Sequence, residues 1–229
     1  MLIVSNCVNF LSLEPSDQAK AQTEGGAIPL VLLSGGLDST YLAYEFLKFG
    51  DIDILYIDGR QVSNKVNAEK KALQTIIHTL NANSKHKIRN RFLATTVDLG
   101  FVRMQFQQAG YWIFSAMQAF DDRLHNKVCL SYVSGDSILA SLSSIKSAWW
   151  DLASSIKMQP IPLEFPLQFV TKAQILTNMP QELIDLTWSC ETPMSDEAID
   201  GYIACGYCDP CVTKKVELYR QSLLSNKNQ

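Results

Sequence analysis

The sequence has no hydrophobic run long enough to cross a lipid bilayer, which takes about 20 consecutive apolar residues. Met1–Val4 is apolar, but Ser5 and Asn6 interrupt it and no basic residue stands in front of it, so it does not have the form of a secretory signal. We therefore expect a cytoplasmic protein that makes no membrane contact. Thiols stay reduced in the cytoplasm, so the six cysteines are expected to bind a metal or to stay free rather than to form disulfides.

The chain also lacks an excess of basic residues, internal repeats and low-complexity segments. Its formal charge is -3 at pH 7 and its isoelectric point is near 5.6, so no general attraction to nucleic acid or to anionic membranes is expected. One local basic run, Lys85–Arg91, is expected to be a solvated loop. With 229 residues, of which 47% are hydrophobic and 19% charged, the composition is typical of a globular enzyme with one sizeable domain.

From Pro29 onward, short apolar runs alternate with helical patterns. Strands are predicted before Ser34 and at Ile52–Ile57, Phe92–Val97 and Val128–Val133. Helices are predicted after Thr40, at Asn64–Asn81, Trp112–Phe120 and Ile145–Ile156, and from Lys172, where Thr171 and Gln174 have the form of a capping box. This alternation predicts an α/β, Rossmann-like fold, in which a mostly parallel sheet is flanked by helices and joined by right-handed crossovers.

We divide the chain into three parts by composition. Residues 1–28 are an N-terminal extension, in which Leu2–Phe10 is a candidate strand, either at the edge of the sheet or in a partner-binding arm. Residues 29–178 form the α/β domain, and residues 179–229 form a cysteine-rich segment that we expect to pack on the same domain.

The strand before Ser34 ends abruptly in the string Ser34-Gly35-Gly36-Leu37-Asp38-Ser39-Thr40, and a helical pattern follows. Glycines allow a tight turn and a close approach to a ligand. Unpaired N–H groups at the start of a helix attract anions, and the hydroxyls of Ser34, Ser39 and Thr40 add donors. Asp38 is a candidate to face a metal or to cap the helix. The lysine of a Walker A loop is absent, so this is a different kind of phosphate-binding turn.

Ligands of parallel α/β sheets bind beyond the carboxyl ends of the strands. Three loops that follow predicted strands are therefore expected to share one crevice, namely Ser34–Ser39, Asp58–Arg60 and Ser134–Ser137. This crevice is the predicted functional site.

Four cysteines, Cys190, Cys205, Cys208 and Cys211, have the spacing C-x14-C-x2-C-x2-C. Two C-x2-C steps direct thiolates at one centre, and Cys190 completes a tetrahedral set. Four protein ligands leave no open position, so we expect structural Zn²⁺ that stabilises a segment poor in apolar residues. Free buried thiols, an iron–sulfur cluster on three of the cysteines and sulfur transfer by a catalytic cysteine pair are the alternatives. The other two cysteines, Cys7 and Cys129, are predicted to be buried small hydrophobes.

The loop Ser34–Ser39 resembles the S-G-G-x-D-S signature of the PP-loop ATP pyrophosphatases, which hold the pyrophosphate of ATP while the α-phosphate is attacked. With the cysteine spacing added, the chain is similar to the QueC family, the 7-cyano-7-deazaguanine synthases. The matching segments keep the family's order: Ser34–Ser39, Tyr56 with Arg60, Pro166–Leu167, Thr171–Ala173, Leu186–Cys190 and Cys205–Cys211.

The resemblance implies an adenine nucleotide α-hydrolase-like fold and an ATP-dependent C–N ligase. QueC enzymes adenylate the carboxylate of 7-carboxy-7-deazaguanine, ammonia displaces AMP to give an amide, and a second activation gives the nitrile. Carried over by position, Ser34–Thr40 and Tyr56 would bind ATP with Mg²⁺, and the candidate catalytic residues are Asp38, Ser39, Arg60 and Lys172. The implied partners are a deazaguanine-like substrate and ammonia, and we expect a homodimer.

Two stretches depart from the family's pattern. Gln108–Trp112 stands where the family has a V-P-G-R-N-like segment, and Leu139–Trp150 lacks the Y-P-D-C-R-like segment associated with the deazaguanine substrate. We therefore expect a diverged member that keeps ATP and forms an amide, a nitrile or a conjugate. Some QueC-like proteins belong to bacterial anti-phage defence systems, where the acceptor would be a protein or a nucleic acid. A PP-loop tRNA-modifying enzyme and a non-catalytic nucleotide-binding scaffold with structural zinc are the alternative functions.

Overall fold

The computed structural model of this protein describes residues 8–9, 27–58, 63–95, 108–156, 159–196 and 201–226. In this part of the chain the apolar runs form a six-stranded sheet. Its strands are β1 (Val8–Asn9), β2 (Ile28–Leu32), β3 (Ile52–Asp58), β4 (Ile88–Thr95), β5 (His125–Cys129) and β6 (Leu163–Glu164).

The strands lie in the order β1-β4-β3-β2-β5-β6, and β2 to β6 run parallel to one another. The chain leaves β2 toward β3 and β4 and then returns to place β5 on the other side of β2. The order of the strands therefore reverses at β2, which is where α/β folds of this kind bind ligands. The predicted α/β, Rossmann-like fold is confirmed.

The edge strand β1 is antiparallel to β4, with Val8 opposite Leu93 and Asn9 opposite Phe92. This agrees with an edge strand within the candidate Leu2–Phe10. The rest of the N-terminal extension lies outside the described residues, as does Cys7.

Helices cover both faces of the sheet, which is why its central strands are apolar on both sides. They are α1 (Leu37–Phe46), α2 (Ser63–Asn83), α3 (Gln108–Ala119), α4 (Leu142–Ser155), α5 (Lys172–Asn178), α6 (Gln181–Leu186) and α7 (Asp209–Asn226). Side chains of α1, α2, α5 and α6 share one buried layer, and those of α3 and α4 share the other. Among the residues described, no helix has the length and apolar character that a membrane span requires.

Most elements agree with the sequence prediction, and Thr171 forms the predicted capping box with Gln174 at the start of α5. The strand predicted at Val128–Val133 is displaced, because β5 runs from His125 to Cys129 and the chain turns after it. The Asp136 carboxylate accepts a hydrogen bond from the Val133 N–H (2.8 Å) and stabilises that turn.

The predicted strand Phe92–Val97 is also displaced, since β4 begins at Ile88 and ends at Thr95. Its first half contains Arg89, Asn90 and Arg91, whose polarity concealed a strand. Asn90 on β4 and His125 on β5 are polar, and both are accommodated in the sheet because they hydrogen-bond to Asp53.

That network joins Asp53, Asn90 and His125 at the amino-terminal end of the sheet. Asp53 is 1% exposed and accepts hydrogen bonds from the Asn90 N–H (2.7 Å) and the Asn90 side-chain amide (3.0 Å). The Nδ1 of His125 accepts from the Asp121 N–H (3.0 Å), so the ring proton is on Nε2, which donates to Asp53 Oδ2 (3.0 Å). Both carboxylate oxygens of Asp53 and both ring nitrogens of His125 therefore have partners, as burial requires.

Replacing Asp53 with alanine is expected to lower the free energy of unfolding by about 3–5 kcal/mol, because Asn90 and His125 lose their acceptor in the core. Denaturant unfolding followed by far-UV circular dichroism measures the loss. Asp51→Ala is the matched control: it removes a surface acceptor for the Lys87 N–H (2.9 Å), and we expect a loss of about 1 kcal/mol or less. Equal losses in the two variants would contradict the importance of the buried network.

Candidate functional site

The turn after β2 has the geometry of an anion-binding loop. The Leu33 N–H donates to the Leu55 carbonyl (2.9 Å) and so continues the ladder between β2 and β3 up to the turn. Gly35 then adopts φ +82°, a left-handed conformation that favours glycine over any residue with a side chain. Helix α1 begins two residues later, at Leu37.

Two serines hold this loop in shape. The Ser39 hydroxyl accepts from the Ser34 N–H (3.2 Å) and donates to the Gly36 carbonyl (3.2 Å), and the two hydroxyl oxygens are 3.1 Å apart. Gly36 precedes α1, and among the described residues no side chain caps it. The N–H groups at the start of α1 therefore lie next to the cavity with donor capacity left over, which suits a phosphate, while the Asp38 carboxylate in the same turn offsets part of the helix dipole.

Asp38 is a carboxylate held in an unusual environment beside this loop. Its Oδ1 atom is buried and has no hydrogen-bond partner among the described residues, and its Oδ2 atom lies 3.8 Å from Lys172 Nζ. Burial raises the pKa of Asp38 to about 6; nearby Asp136 adds to the rise, and Lys172 opposes it. A buried, unsatisfied carboxylate oxygen fits a divalent cation, because hard oxygen donors are the ligands that Mg²⁺ prefers.

The loop opens into a cavity of about 520 Å³, called here the main cavity, at the carboxyl ends of β2, β3 and β5. Its lining combines the loop with residues of α2, α3, α5 and the segment before the cysteines. Among them are Ser34, Gly36, Asp38, Ser39, Tyr56, Lys65, Glu69, Trp112, Tyr132, Asp136, Ser137, Lys172, Trp188 and Glu191. A side cavity of about 360 Å³ adjoins it and shares Ser34, Asp38, Ser39 and Lys172 with it.

One wall of the main cavity is a row of paired charges. The Tyr56 hydroxyl donates to Glu69 (2.9 Å), Glu69 lies 3.8 Å from Lys65 Nζ, and Lys65 also pairs with Glu191. Burial raises the pKa of Tyr56, with the nearby Glu69 adding to it, so the hydroxyl stays protonated. Lys65 is only 8% exposed, so this buried ammonium is available to an anion only inside the cavity.

Another part of the lining is aromatic and includes Trp112 of the altered stretch Gln108–Trp112. Trp112 and Tyr132 both line the main cavity, and Tyr132 stacks on Phe165 with ring centroids 6.1 Å apart. Burial raises the pKa of Tyr132 to about 12, partly offset by the Trp112 side chain. The Tyr132 hydroxyl is nevertheless buried without a well-formed hydrogen bond to any described residue. This wall suits a flat ligand that carries a polar group at its edge.

The structure brings most of the predicted ATP-site residues together. Ser34, Gly36, Asp38, Ser39, Tyr56 and Lys172 line the main cavity, and Leu37 lines the side cavity. Gly35 shapes the turn, whereas Thr40 is fully buried and lines neither cavity. Arg60 lies outside the described residues. The predicted loops after β2 and β5 both line the main cavity, and β3 contributes Tyr56 to it.

Several cavity residues were missed from the sequence, including Lys65, Glu69, Trp112 and Tyr132. A signal existed for two of them: Lys65 and Glu69 are four residues apart and so share one face of a predicted helix that follows the second strand. Trp112 and Tyr132 carried no comparable signal, because an apolar residue near a helix start or strand end is more often part of the core.

The four predicted metal ligands form one cluster. The Sγ atoms of Cys190, Cys205, Cys208 and Cys211 all lie within 4.8 Å of one another. Cys190 and Cys205 flank a small antiparallel pair of strands, β7 (Met194–Asp196) with β8 (Gly201–Ile203), and Cys208 and Cys211 lie at the start of α7. The Cys205 N–H donates to Cys190 Sγ (3.2 Å) and the Cys208 N–H donates to Cys205 Sγ (3.4 Å).

This donor set fits a tetrahedral metal. A Zn–S distance of about 2.3 Å places sulfurs about 3.8 Å apart, within the spread of the cluster. Burial alone would raise the pKa of Cys205, but hydrogen bonds from Thr192 and from the backbone N–H groups of Tyr207 and Cys208 lower it to about 6. A lowered pKa favours the thiolate, which is the form that binds metals. Cys129, in contrast, is buried in the core away from the cluster, as predicted.

The chain matches no protein-family model and no curated protein sequence. Among solved structures it is similar to the U34-tRNA thiolase NcsA from Methanococcus maripaludis with its [4Fe-4S] cluster. The two chains are 13% identical, with a TM-score of 0.43 over 92% of this chain and 72% of that one. Neither the reaction nor the cluster of that protein is transferred to this chain at such a level of similarity.

Replacing Cys208 with alanine is expected to lower the bound metal, one ion per chain in the wild-type protein, to well below half occupancy, because a tetrahedral site loses one of its four ligands. Metal analysis of the purified protein by mass spectrometry measures the occupancy and also identifies the element. Cys129→Ala removes a cysteine outside the cluster and is expected to leave occupancy unchanged. Full occupancy in Cys208→Ala would show that the cluster is not the metal site.

Proposed function

We propose that this protein uses ATP to activate a carboxylate, releasing pyrophosphate and forming an acyl-adenylate, as a diverged QueC-like enzyme of the PP-loop ATP pyrophosphatases. The observation that carries the proposal is the loop Ser34–Ser39, whose N–H groups and hydroxyls converge on a cavity at the reversal point of the sheet. Asp38, with its buried and unsatisfied oxygen, and Lys172 stand beside that loop.

In the proposed reaction the chain mainly binds and neutralises charge. The N–H groups of α1 and the hydroxyls of Ser34 and Ser39 hold the β- and γ-phosphates, and the Lys172 ammonium offsets part of their charge. Asp38 would hold Mg²⁺, which would shield the charge of the phosphates. A carboxylate oxygen of the acceptor bonds to the α-phosphorus, and the bond from that phosphorus to the bridging oxygen breaks, with both electrons leaving on pyrophosphate.

A nitrogen nucleophile completes the reaction. Ammonia attacks the acyl carbon, the bond to the AMP oxygen breaks, and loss of a proton from nitrogen leaves an amide. Activation is needed because a carboxylate is a poor electrophile, and AMP is a far better leaving group than oxide. A second activation of the amide would give the nitrile, and attack by a larger amine would give a conjugate.

The walls of the main cavity support a flat, carboxylate-bearing acceptor such as 7-carboxy-7-deazaguanine or a related deazaguanine. Trp112 and Tyr132 offer aromatic surface and a hydroxyl without a well-formed hydrogen bond to a described residue. The buried Lys65, which pairs with Glu69 and Glu191, would bind the acceptor carboxylate in place of one of them. The aromatic wall occupies one of the stretches that depart from the QueC pattern, which supports an acceptor that differs from the usual one. A role in an anti-phage system, with a protein or nucleic acid as acceptor, is part of the same proposal.

The cysteine cluster is proposed to hold structural Zn²⁺. Its four thiolates would complete the coordination and leave no position for a substrate. The short hairpin β7–β8 has little apolar burial of its own, with Met194 and Ile203 both largely exposed, so a metal would stabilise it.

The proposal is tested by incubating the metal-loaded protein with ATP, Mg²⁺ and 7-carboxy-7-deazaguanine, with and without ammonia, and identifying the products by mass. We expect AMP and pyrophosphate in amounts that depend on the acceptor, and an amide or nitrile when ammonia is present. Asp38→Ala should reduce AMP formation at least about 100-fold, because the phosphate charge is no longer shielded. AMP formation only with tRNA would instead favour the tRNA-modifying alternative, and no AMP with any acceptor would contradict an ATP-using enzyme.

The rate of AMP formation is expected to fall as the pH drops below about 6 at limiting Mg²⁺. The folded-state pKa of Asp38 is raised to about 6, so the carboxylate is mostly ionised at pH 7 and takes up a proton below pH 6. Because Mg²⁺ and the proton compete for the same oxygens, saturating Mg²⁺ should move the midpoint to lower pH. Rate profiles between pH 5 and 8 at two Mg²⁺ concentrations measure this, and a midpoint independent of Mg²⁺ would argue against Asp38 as the ligand.

A further inference from the structure

The four-cysteine cluster and the loop Ser34–Ser39 are joined by a short series of hydrogen bonds. The backbone N–H of Trp188 donates to the Gly35 carbonyl (2.9 Å). The indole N–H of Trp188 donates to the carbonyl of Cys190 (3.3 Å). A single residue therefore contacts both the phosphate-binding turn and the backbone of a cluster cysteine.

Trp188 contacts the residue of the loop that has a left-handed backbone conformation, Gly35. Gly35 is at φ +82°, and the bond from Trp188 fixes the orientation of the peptide group that follows it. The Trp188 carbonyl lies 3.8 Å from the point where a Cβ on Gly36 would be, so the segment packs directly against the loop. The direction of the N–H groups that face the phosphates therefore depends on where Trp188 is held.

Lys214 determines where that segment is held. Its Nζ donates to the Thr187 carbonyl (2.9 Å), the Thr187 hydroxyl (3.0 Å) and the Ile184 carbonyl (3.4 Å), which are the last acceptors of helix α6. Burial lowers the pKa of Lys214, and the nearby Asp185 opposes this fall. A cation at the carboxyl end of a helix also complements the helix dipole.

Lys214 lies on α7 three residues after Cys211, so it is one turn from the cluster. The first turns of α7 also form a wall of the side cavity next to Ser34 and Asp38. A metal bound by both Cys211 and Cys190 would therefore fix α7 relative to Trp188. The hydrogen bonds of Lys214 would in turn hold residues 184–187 at a fixed distance from α7.

We propose that the four-cysteine centre sets the affinity of the loop for the phosphates of ATP, with Lys214 and Trp188 as the positioning residues that connect them. This rests on the proposed function, because ATP is taken as the ligand of the loop. Without the metal, or without the Lys214 ammonium, the Gly35 carbonyl loses a donor at a fixed position. The loop N–H groups then converge less often, and the affinity for ATP falls.

The test measures binding rather than turnover. An ATP analogue with a methylene bridge between the α- and β-phosphates is titrated with Mg²⁺ into metal-loaded protein, and calorimetry gives the Kd. For Lys214→Met we expect Kd to rise about 5–20-fold, within the range of ordinary coupling between sites, while the metal content per chain stays at the wild-type value. Lys215→Met is the matched control: among the described residues it removes an exposed bond to the Gly206 carbonyl (3.1 Å), and we expect Kd to change less than about twofold.

A second measurement uses the reciprocity of coupled binding. Removing the metal with a chelator should raise the Kd of the analogue in the wild-type protein, and adding Zn²⁺ back should restore it. By linkage, the analogue should then raise the metal affinity of the wild-type protein by that same factor, and by much less in Lys214→Met. A purely structural role for Lys214 would lower the melting temperature and leave both affinities unchanged well below it, which would overturn the proposal.

The outcomes separate this inference from the proposed function. If the metal-loaded wild-type protein does not bind the analogue, both the ATP-dependent function and the proposed coupling are wrong. If it binds the analogue, and neither Lys214→Met nor metal removal changes Kd, then the coupling is wrong and the ATP-dependent function stands.

Discussion

The whole site depends on the parallel pairing of β2 with a neighbour on each side. Its hydrogen bonds with β3 and β5 are formed along both edges, so its middle residues Leu30 and Val31 are fully buried and its carboxyl end is fixed. The crossovers leave β2 in opposite directions, which opens a crevice directly above it. A loop of glycines and serines can be short there because the strand before it and the helix after it are both packed in the core. Trp188, the two serines of the turn and the backbone of α2 at Glu69 and Leu73 all pack against it.

Charge in the main cavity is distributed unfavourably for a nucleotide. The described residues that line it include four carboxylates, Asp38, Glu69, Asp136 and Glu191, against the ammonium groups of Lys65 and Lys172. General electrostatic attraction therefore does not explain how a triphosphate would bind. Short-range donors and a divalent cation have to supply the attraction instead. The pKa of Asp38 is raised mainly by burial, and the neighbouring Asp136 carboxylate adds to the rise.

Sequence reasoning identified the fold, the loop and the metal cluster because each leaves a local pattern. Alternating strands and helices, a Gly-Gly turn between an apolar run and a helix, and the C-x2-C-x2-C spacing all depend on residues close in the chain. The starts of β4 and β5 were missed because Asn90 and His125 are polar, and only their contact with Asp53 makes their burial favourable. Lys214 was missed for a related reason: its partners Ile184 and Thr187 lie 30 and 27 positions away, and no short pattern marks such a contact. Features that depend on neighbouring residues are therefore predictable from the sequence, whereas contacts between residues far apart in the chain are not.

The bond between His125 and Asp53 has a consequence for the far end of the sheet. These two residues lie on β5 and β3, so the bond passes over β2 and connects its two neighbours on the face covered by α3 and α4. Because side chains alternate between the faces of a strand, a slip of one residue in either neighbour would turn one partner to the wrong side. The pair therefore stabilises one register of β3 and β5 relative to β2. By fixing how far β3 and β5 extend beside β2, it helps to set where Tyr56 and Tyr132 lie around the Ser34–Ser39 turn, although the pair itself is at the opposite end of the strands.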